Sequence, residues 1–237
     1  MRENDVQRLL AVLSDRARSE EERRYLRTHT LRYEFLLAAL RRVVERLPPS
    51  LRLLDVGPSY EAELIRNLFP AIRVDTLGFH DERFPLREGE THTELDLNDA
   101  GRPQLERYDI IVCAEVVEHL YTSPLHLLRM FRSLLTPEGS VIIQTPNAAA
   151  IERRLWLLAG RNPFELLRED LHHAGHFREY TLNELAQLAE QCGFTVAFAE
   201  RRNYFVSGSW KNRLLVKAGF LLPSSLRHGI TLELRAA

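Results

Sequence analysis

The stretch Leu51-Arg52-Leu53-Leu54-Asp55-Val56-Gly57 has the pattern of a buried β-strand that ends in a tight turn. Apolar side chains surround a single carboxylate, Asp55, as is typical of a strand covered on both faces. Gly57 permits a sharp turn, and residues 61–69 continue with the periodicity of a helix. Such a unit builds open α/β sheets, in which ligands bind at the carboxyl ends of the strands, facing backbone N–H groups and the helix N-terminus.

Composition limits the classes to which the chain can belong. It has 237 residues, of which 45% are hydrophobic and 27% charged, and this fits one globular domain with a full core. A formal net charge of -1 provides no positive field for binding nucleic acid. Two cysteines without metal-ligand spacing indicate a reduced protein. With no export signal and no apolar run long enough for a membrane span, we expect a cytoplasmic protein.

Strand-like and helix-like segments alternate along the chain. Residues 1–48 predict an N-terminal helical extension, with Leu36, Leu40 and Val43 at helical spacing. The alternation predicts a doubly wound, mostly parallel α/β sheet of seven strands with helices on both faces. Strands are predicted at residues 51–56, 72–77, 93–95, 108–113, 140–145, 194–199 and 230–234. Helices are predicted at residues 61–69, 124–135, 148–159, 164–171, 181–192 and 210–221, and a turn at residues 136–139.

We predict a single domain, residues 1–237, made of four parts. A helical cap (1–48) precedes the ligand-binding core (51–145), which is followed by a helical insertion (146–180) and the last part of the sheet (181–237). Thr181 and Glu184 have the spacing of a capping box, and Gly193 supplies the turn that ends the same helix. Residues 210–221 are expected to pack on the sheet or on the second subunit of a homodimer, with a membrane surface as the alternative.

Several segments resemble motifs of the class I S-adenosylmethionine-dependent methyltransferases. Leu53-Leu54-Asp55-Val56-Gly57 resembles the first motif, and Leu95-Asp96-Leu97 the acidic corner after the third strand. Residues 108–120, Tyr-Asp-Ile-Ile-Val-Cys-Ala-Glu-Val-Val-Glu-His-Leu, are similar to the fourth-strand signature of the branch that includes quinone and small-molecule O-methyltransferases. Residues 134–147 and 176–194 are similar to later segments of that branch. The resemblance implies a Rossmann-like fold, S-adenosylmethionine as cofactor, and methyl transfer to a small-molecule acceptor, with a hydroxyl as the expected acceptor group.

The first motif departs from the family's pattern. The family usually continues with Cys-Gly-x-Gly, whereas here Pro58-Ser59-Tyr60-Glu61 follows Gly57. The resemblance implies that Asp55 and Gly57 shape the amino-acid end of the pocket. Pro58 has no N–H to donate, while Ser59 is expected to cap the next helix and to meet the cofactor carboxylate. The departure leaves open a second hypothesis, a degenerate member of the fold that binds or scaffolds without catalysis.

The resemblance assigns the ribose and the adenine to acids after the second and third strands. Asp75 and Asp81 are the alternatives for the ribose hydroxyls. Asp96 is expected to accept a hydrogen bond from the adenine amine, with Leu97 packed beside it, and the alternative for Asp96 is a turn residue. The resemblance also implies three cofactor-binding residues at the end of the fourth strand: Ala114, Glu115 and Val116. The carboxyl end of a strand is the edge at which such sheets bind ligands.

Glu118 and His119 are the candidate catalytic residues. An imidazole at this edge can remove a proton from an acceptor hydroxyl, because its ordinary pKa lies near neutrality. The alternative is that both side chains hydrogen-bond to loops and hold the shape of the site. For the acceptor pocket, the resembling segments indicate Asn147, His176 and Tyr180.

A metal site is a further possibility that the sequence raises. His172 and His176 have the i, i+4 spacing of ligands on one helix face, and Asp170 lies close by. Gly175 weakens a helix between them. We therefore expect no metal, and we assign His176 to the wall of the pocket. No Gly-x-Gly-x-x-Gly follows a strand, which disfavours a nicotinamide-dependent oxidoreductase.

Overall fold

A computed structural model describes residues 3–99, 101, 103–170, 175–204 and 223–237. Three helices come first: α1 (Glu3–Arg16), α2 (Glu20–Thr28) and α3 (Thr30–Val44). They are followed by β1 (Leu51–Val56), α4 (Tyr60–Leu68), β2 (Ile72–Gly78), β3 (His92–Glu94), β4 (Tyr108–Ala114), α5 (Pro124–Leu134), β5 (Leu135–Pro146), α6 (Ile151–Leu158), α7 (Leu182–Gln191), β6 (Phe194–Arg202) and β7 (Gly229–Ala236). The predicted helix at residues 210–221 lies outside the described residues.

The strands form one sheet in the order β3-β2-β1-β4-β5-β7-β6. The first five strands of this order are parallel, and β7 runs antiparallel between β5 and β6. The predicted seven-stranded, mostly parallel, Rossmann-like sheet is therefore confirmed. The order reverses at β1, which pairs with β2 on one side and with β4 on the other. A crevice for a ligand is expected at the carboxyl ends of β1 and β4, where the crossover helices diverge.

Helices pack on both faces of the sheet. Leu53 and Ile110 belong to the core shared with α1, α3 and α4, whereas Leu54 and Ile111 belong to the core shared with α5 and α7. Because successive side chains of a strand point to opposite faces, a central strand must be apolar throughout to fill two cores. This requirement explains the continuous apolar run of residues 110–113.

Two predicted elements differ in the structure. Residues 136–139 were predicted as a turn before the strand, but they belong to β5. The pairing of β4 with β5 shifts in register at this point, because Tyr108 pairs with Leu135 and Ile110 pairs with Ser140. The predicted helix at 164–171 is not formed over its described residues, 164–170. Leu166 in this segment is 87% exposed. A short helix is unstable unless packing against a core offsets the unfavourable free energy of helix nucleation.

The predicted capping box at the start of α7 is confirmed. The Thr181 hydroxyl accepts a hydrogen bond from the Glu184 N–H at 3.3 Å, and the Glu184 carboxylate accepts one from the Thr181 N–H at 2.8 Å.

Within the residues described, no helix combines the length and the apolar character that a membrane span requires.

Thr181→Ala is expected to lower the free energy of unfolding by about 1 kcal/mol, because the Glu184 N–H loses its acceptor. Urea denaturation measures the change. Thr181→Ser keeps a hydroxyl and should retain most of the stability. An equal loss in both variants would show that the threonine methyl group, and not the cap, stabilises this helix.

Candidate active site

A cavity of about 1070 Å³ lies at the carboxyl ends of β1 and β4. The loop after β1 forms part of its wall without filling it. The loops after the first four strands contribute the following residues: Gly57, Pro58, Ser59, Gly78, Phe79, Leu95, Asp96, Leu97, Asn98, Glu115, Val116, His119, Leu120 and Tyr121.

The N-terminal helices and the segment after β5 form the remaining walls. Tyr25 of α2 and His29, which follows α2, line the cavity, and their rings stack with centroids 3.8 Å apart. Asn147, His176 and Phe177 also line the cavity. One continuous cavity therefore extends from the first-motif loop to the histidines of the insertion.

Two glycines allow the backbones after β1 and β2 to approach closely. The Gly57 N–H donates to the Leu77 carbonyl at 2.8 Å. A Cβ atom on Gly57 would lie 2.6 Å from Cγ2 of Val116, and one on Gly78 would lie 3.4 Å from the Gly57 nitrogen. Both residues also have positive φ, +75° and +133°, which side chains disfavour. These positions consequently keep backbone exposed along the cavity.

Asp55 belongs to a buried group of charges behind this loop. Burial and the Glu61 carboxylate raise the pKa of Asp55 well above its ordinary value, against the charges of Arg66 and Arg32. Arg32 is itself fully buried and pairs with Glu61 at 3.5 Å. None of its guanidinium nitrogens makes a hydrogen bond of good geometry to a described residue. Asp55, Glu61 and Arg32 all lie outside the cavity wall.

Glu115 is the strained residue of the site. Its φ of +57° is the only positive value for a non-glycine residue in the described part of the chain. Such a conformation costs roughly 1–3 kcal/mol and is retained mainly at functional sites. The Glu115 N–H is fixed by the Gln144 carbonyl at 2.9 Å, and burial raises the pKa of the carboxyl to about 7.

His119 and Glu118 lie in a short 3-10 turn after β4. His119 lines the cavity, and its Nδ1 is 3.0 Å from the Gly175 carbonyl oxygen. Burial and the neighbouring His176 lower the pKa of His119. Glu118 is fully buried beneath it and accepts a hydrogen bond from the Thr145 hydroxyl at 2.9 Å. Burial and the Glu115 carboxylate raise the pKa of Glu118.

The comparison with protein families decides the assignment. Residues 25–197 match the family model described as a methyltransferase domain. The chain belongs to this family. It is a class I methyltransferase that uses S-adenosylmethionine as its cofactor. A comparison with curated proteins found no match.

Solved methyltransferase structures share the fold of this methyltransferase. A Galdieria sulphuraria protein assigned as a sarcosine dimethylglycine methyltransferase superposes with a TM-score of 0.58 at 15% identity, over 89% of this chain and 87% of that one. An Archaeoglobus fulgidus S-adenosylmethionine-dependent methyltransferase superposes with a TM-score of 0.56 at 16% identity, over 85% of this chain and 93% of that one. The 1,6-didemethyltoxoflavin-N1-methyltransferase of Burkholderia thailandensis was solved with S-adenosylhomocysteine. It superposes with a TM-score of 0.53 at 16% identity, over 84% of this chain and 77% of that one.

Neither acid predicted for the ribose lies in the cavity wall of the methyltransferase. The Asp75 carboxylate, inside β2, accepts from Arg52 at 3.0 Å, from Arg73 at 3.1 Å and from the Thr91 N–H at 2.8 Å. Asp81 is held by Arg83 with contacts of 2.6 to 3.0 Å. Both carboxylates are thus engaged by structural partners. The strand that contains Asp75, β2, ends at a glycine, Gly78.

Asp96 and Leu97 lie in the wall, as does Asn98. The Asp96 carboxylate accepts from the Asn98 N–H at 2.9 Å, and the Asn98 side-chain oxygen accepts from the Tyr121 N–H at 2.9 Å. Asp96 therefore serves as a turn residue and also faces the cavity. The network connects the loops after β3 and β4.

The other predicted residues divide between the wall and the interior. Pro58, Ser59, Glu115 and Val116 line the cavity, whereas Ala114 is buried at the end of β4. The predicted cap at Ser59 is wrong in its chemistry, because the hydroxyl bonds to the Glu61 carboxylate and accepts no backbone N–H.

Of the residues predicted for the acceptor, Asn147 and His176 line the cavity and Tyr180 does not. Tyr180 lines a neighbouring pocket of about 550 Å³. The Asn147 amide already donates to the carbonyls of Ser225 and Arg227. His172, the predicted partner of His176, lies outside the described residues.

Tyr25, His29, Arg32, Phe79 and Asn98 were not predicted as site residues. A signal was present for Arg32, which precedes Leu36 by four residues and therefore shares the buried face of α3. No sequence pattern distinguishes Tyr25 or His29 from other residues of a polar helix.

Proposed function

We propose that this methyltransferase transfers a methyl group to a hydroxyl of a small-molecule acceptor. The observation that carries the proposal is the single cavity of about 1070 Å³, which joins the glycine-lined loops of β1 and β2 to His119 and His176. Pockets for one small ligand commonly measure about 300–1,000 Å³. A cavity slightly larger than this range accommodates a cofactor and an acceptor side by side.

The residues around the first-motif loop fit the cofactor. Gly57 and Gly78 supply a surface that a side chain would obstruct, so a ligand can approach the backbone. Asp96 faces the cavity with a carboxylate that suits the adenine amine, and Leu95 and Leu97 are apolar neighbours. When bound, S-adenosylmethionine supplies an activated methyl group, whose C–S bonding electrons return to sulfur as the acceptor oxygen forms the new bond.

In this proposal His119, which lines the cavity, activates the acceptor hydroxyl. A carbonyl oxygen only accepts hydrogen bonds, so the Nδ1 atom that faces Gly175 carries the proton of the neutral imidazole. The Nε2 atom then presents a lone pair. It can take the hydroxyl proton directly, or it can bind a cation that lowers the pKa of the hydroxyl. Glu118 holds this turn in place from the interior, through Thr145.

A binding protein without turnover is the second candidate function. Pro58 removes one backbone donor from the loop after β1, which favours this candidate. Transfer of a labelled methyl group from S-adenosylmethionine into a metabolite extract separates the two functions. Binding of S-adenosylmethionine without any labelled product would support the binding protein.

Calorimetry with S-adenosylmethionine and S-adenosylhomocysteine tests the cofactor site. We expect a dissociation constant between about 1 μM and 1 mM for the wild type, in the range of enzyme substrates. Asp96→Ala should weaken binding about ten-fold or more, because a hydrogen bond to a charged group is lost. Asp99→Ala removes a nearby acid that is exposed and outside the wall, and it should bind like the wild type. Absence of binding of either compound at millimolar concentration contradicts the proposal.

A further inference from the structure

Glu118, His119 and His176 bring three potential ligand atoms together at the cavity. One carboxylate oxygen and one ring nitrogen from each histidine lie within 4.8 Å of one another. The two imidazole rings meet edge to face, with centroids 4.7 Å apart. His119 and His176 line the cavity, whereas Glu118 is buried behind them. Two imidazoles and one carboxylate are a common ligand set for first-row transition metals.

The hydrogen bonds of the two histidines engage the same atom, Nδ1, of each ring. His119 places Nδ1 3.0 Å from the Gly175 carbonyl, and His176 places Nδ1 3.2 Å from the Glu179 carboxylate. Both acceptors require a proton on Nδ1, which leaves the Nε2 lone pairs for another partner. Histidines that bind metals usually donate their second N–H to a carbonyl or a carboxylate in this way.

Glu118 supplies an independent observation. Its side chain is fully buried, one carboxylate oxygen accepts from Thr145, and the other, Oε1, has no hydrogen-bond partner among the described residues. No arginine or lysine in the described ranges pairs with it within 4.0 Å. A buried carboxylate oxygen without a donor or a cation is costly. A metal ion beside the two histidines would satisfy it.

We propose that Glu118, His119 and His176 bind a divalent first-row transition-metal ion at the acceptor end of the cavity. Ligand atoms around such an ion lie roughly 3 Å apart, so the side chains close on the ion by small rotations. Three protein ligands leave coordination positions open toward the cavity. The metal site considered from the sequence paired His176 with His172, whereas this proposal pairs it with His119 and Glu118.

This site also indicates a class of acceptor, and that part rests on the proposed function. A metal ion facing the cavity acts as a Lewis acid and lowers the pKa of a hydroxyl bound to it. The hydroxyl proton would leave to water or to the Glu115 carboxylate. The oxygen lone pair would form the bond to the methyl carbon while the C–S bond of the cofactor breaks and its electron pair stays on sulfur. Adjacent unoccupied coordination positions on the metal ion favour an acceptor with two neighbouring oxygen atoms, such as a vicinal diol or a hydroxycarbonyl compound.

The test is titration of chelator-treated, tag-free protein with Co²⁺, followed by visible absorption and calorimetry. We expect one equivalent to bind, and Glu118→Gln and His176→Gln to weaken binding at least ten-fold. Glu118→Gln is nearly isosteric, and circular dichroism confirms that each variant is folded. His80→Ala is the matched control, because His80 and His92 form a similar ring pair beside Glu94 but outside the cavity wall. It should bind Co²⁺ like the wild type.

Saturable binding that needs Glu118 and His176 supports the site. Absence of saturable binding, or equal affinity in the folded Glu118→Gln variant, overturns it. Calorimetry with S-adenosylmethionine on the chelator-treated protein separates this result from the proposed function. Retained cofactor binding without Co²⁺ binding refutes only the metal site, whereas loss of cofactor binding in both metal-free and metal-loaded protein refutes the proposed function.

Discussion

Arg32→Met is expected to lower the free energy of unfolding by about 3–5 kcal/mol, because it removes one partner of a buried ion pair. The Arg32 guanidinium lies 3.5 Å from the Glu61 carboxylate, and neither side chain is more than 1% exposed. Asp55 is buried in the same group. Methionine fills much of the volume but leaves the buried Glu61 carboxylate without the cation it pairs with. Urea denaturation at neutral pH measures the loss.

Two further variants separate the charge effect from a general intolerance of α3 to substitution. Arg41→Met removes an arginine of the same helix whose pair with Glu45, at 2.7 Å, is exposed, and its stability should stay close to wild type. The double variant Arg32→Met with Glu61→Gln removes both charges and should recover part of the loss. If the double variant is no more stable than Arg32→Met, the pairing is not what stabilises this region.

Gly57→Ala is expected to weaken the binding of S-adenosylmethionine at least ten-fold. A non-glycine residue at a φ of +75° costs about 1–2 kcal/mol. The added Cβ would also lie 2.6 Å from Cγ2 of Val116, so Val116 must move, and it lines the cavity beside the loop. A displacement of both residues changes the surface that the cofactor contacts. Calorimetry measures the dissociation constant.

Gly89→Ala provides the matched control for this prediction. Gly89 has a similar φ, +81°, and a Cβ there would meet no atom within 4 Å. Both variants should lose a comparable amount of stability from backbone strain, whereas only Gly57→Ala should lose affinity. Wild-type affinity in Gly57→Ala would show that the loop after β1 does not contact the cofactor.

Where the structure differs from the sequence predictions, contacts with distant segments are the cause. Asp75 was assigned to the ribose from its position along the chain, but its partner Arg52 comes from β1, whose register with β2 places the two side chains together. The helix predicted at residues 164–171 has the right composition, yet over its described residues Leu166 and Leu167 stay largely exposed. Arg32 was overlooked because a charged residue on a helix is normally solvated.

The sequence by itself determined the seven-stranded fold, the turn at Gly57 and the capping box at Thr181. These features depend on periodicity and on residues a few positions apart, so local patterns suffice to predict them. Only the tertiary structure decided which acids are free to meet a ligand, and that Glu118 and His119 lie against His176. Whether a side chain is available depends on hydrogen bonds and charges that come from distant segments, and those are set only when the strands pair and the loops close over the cavity.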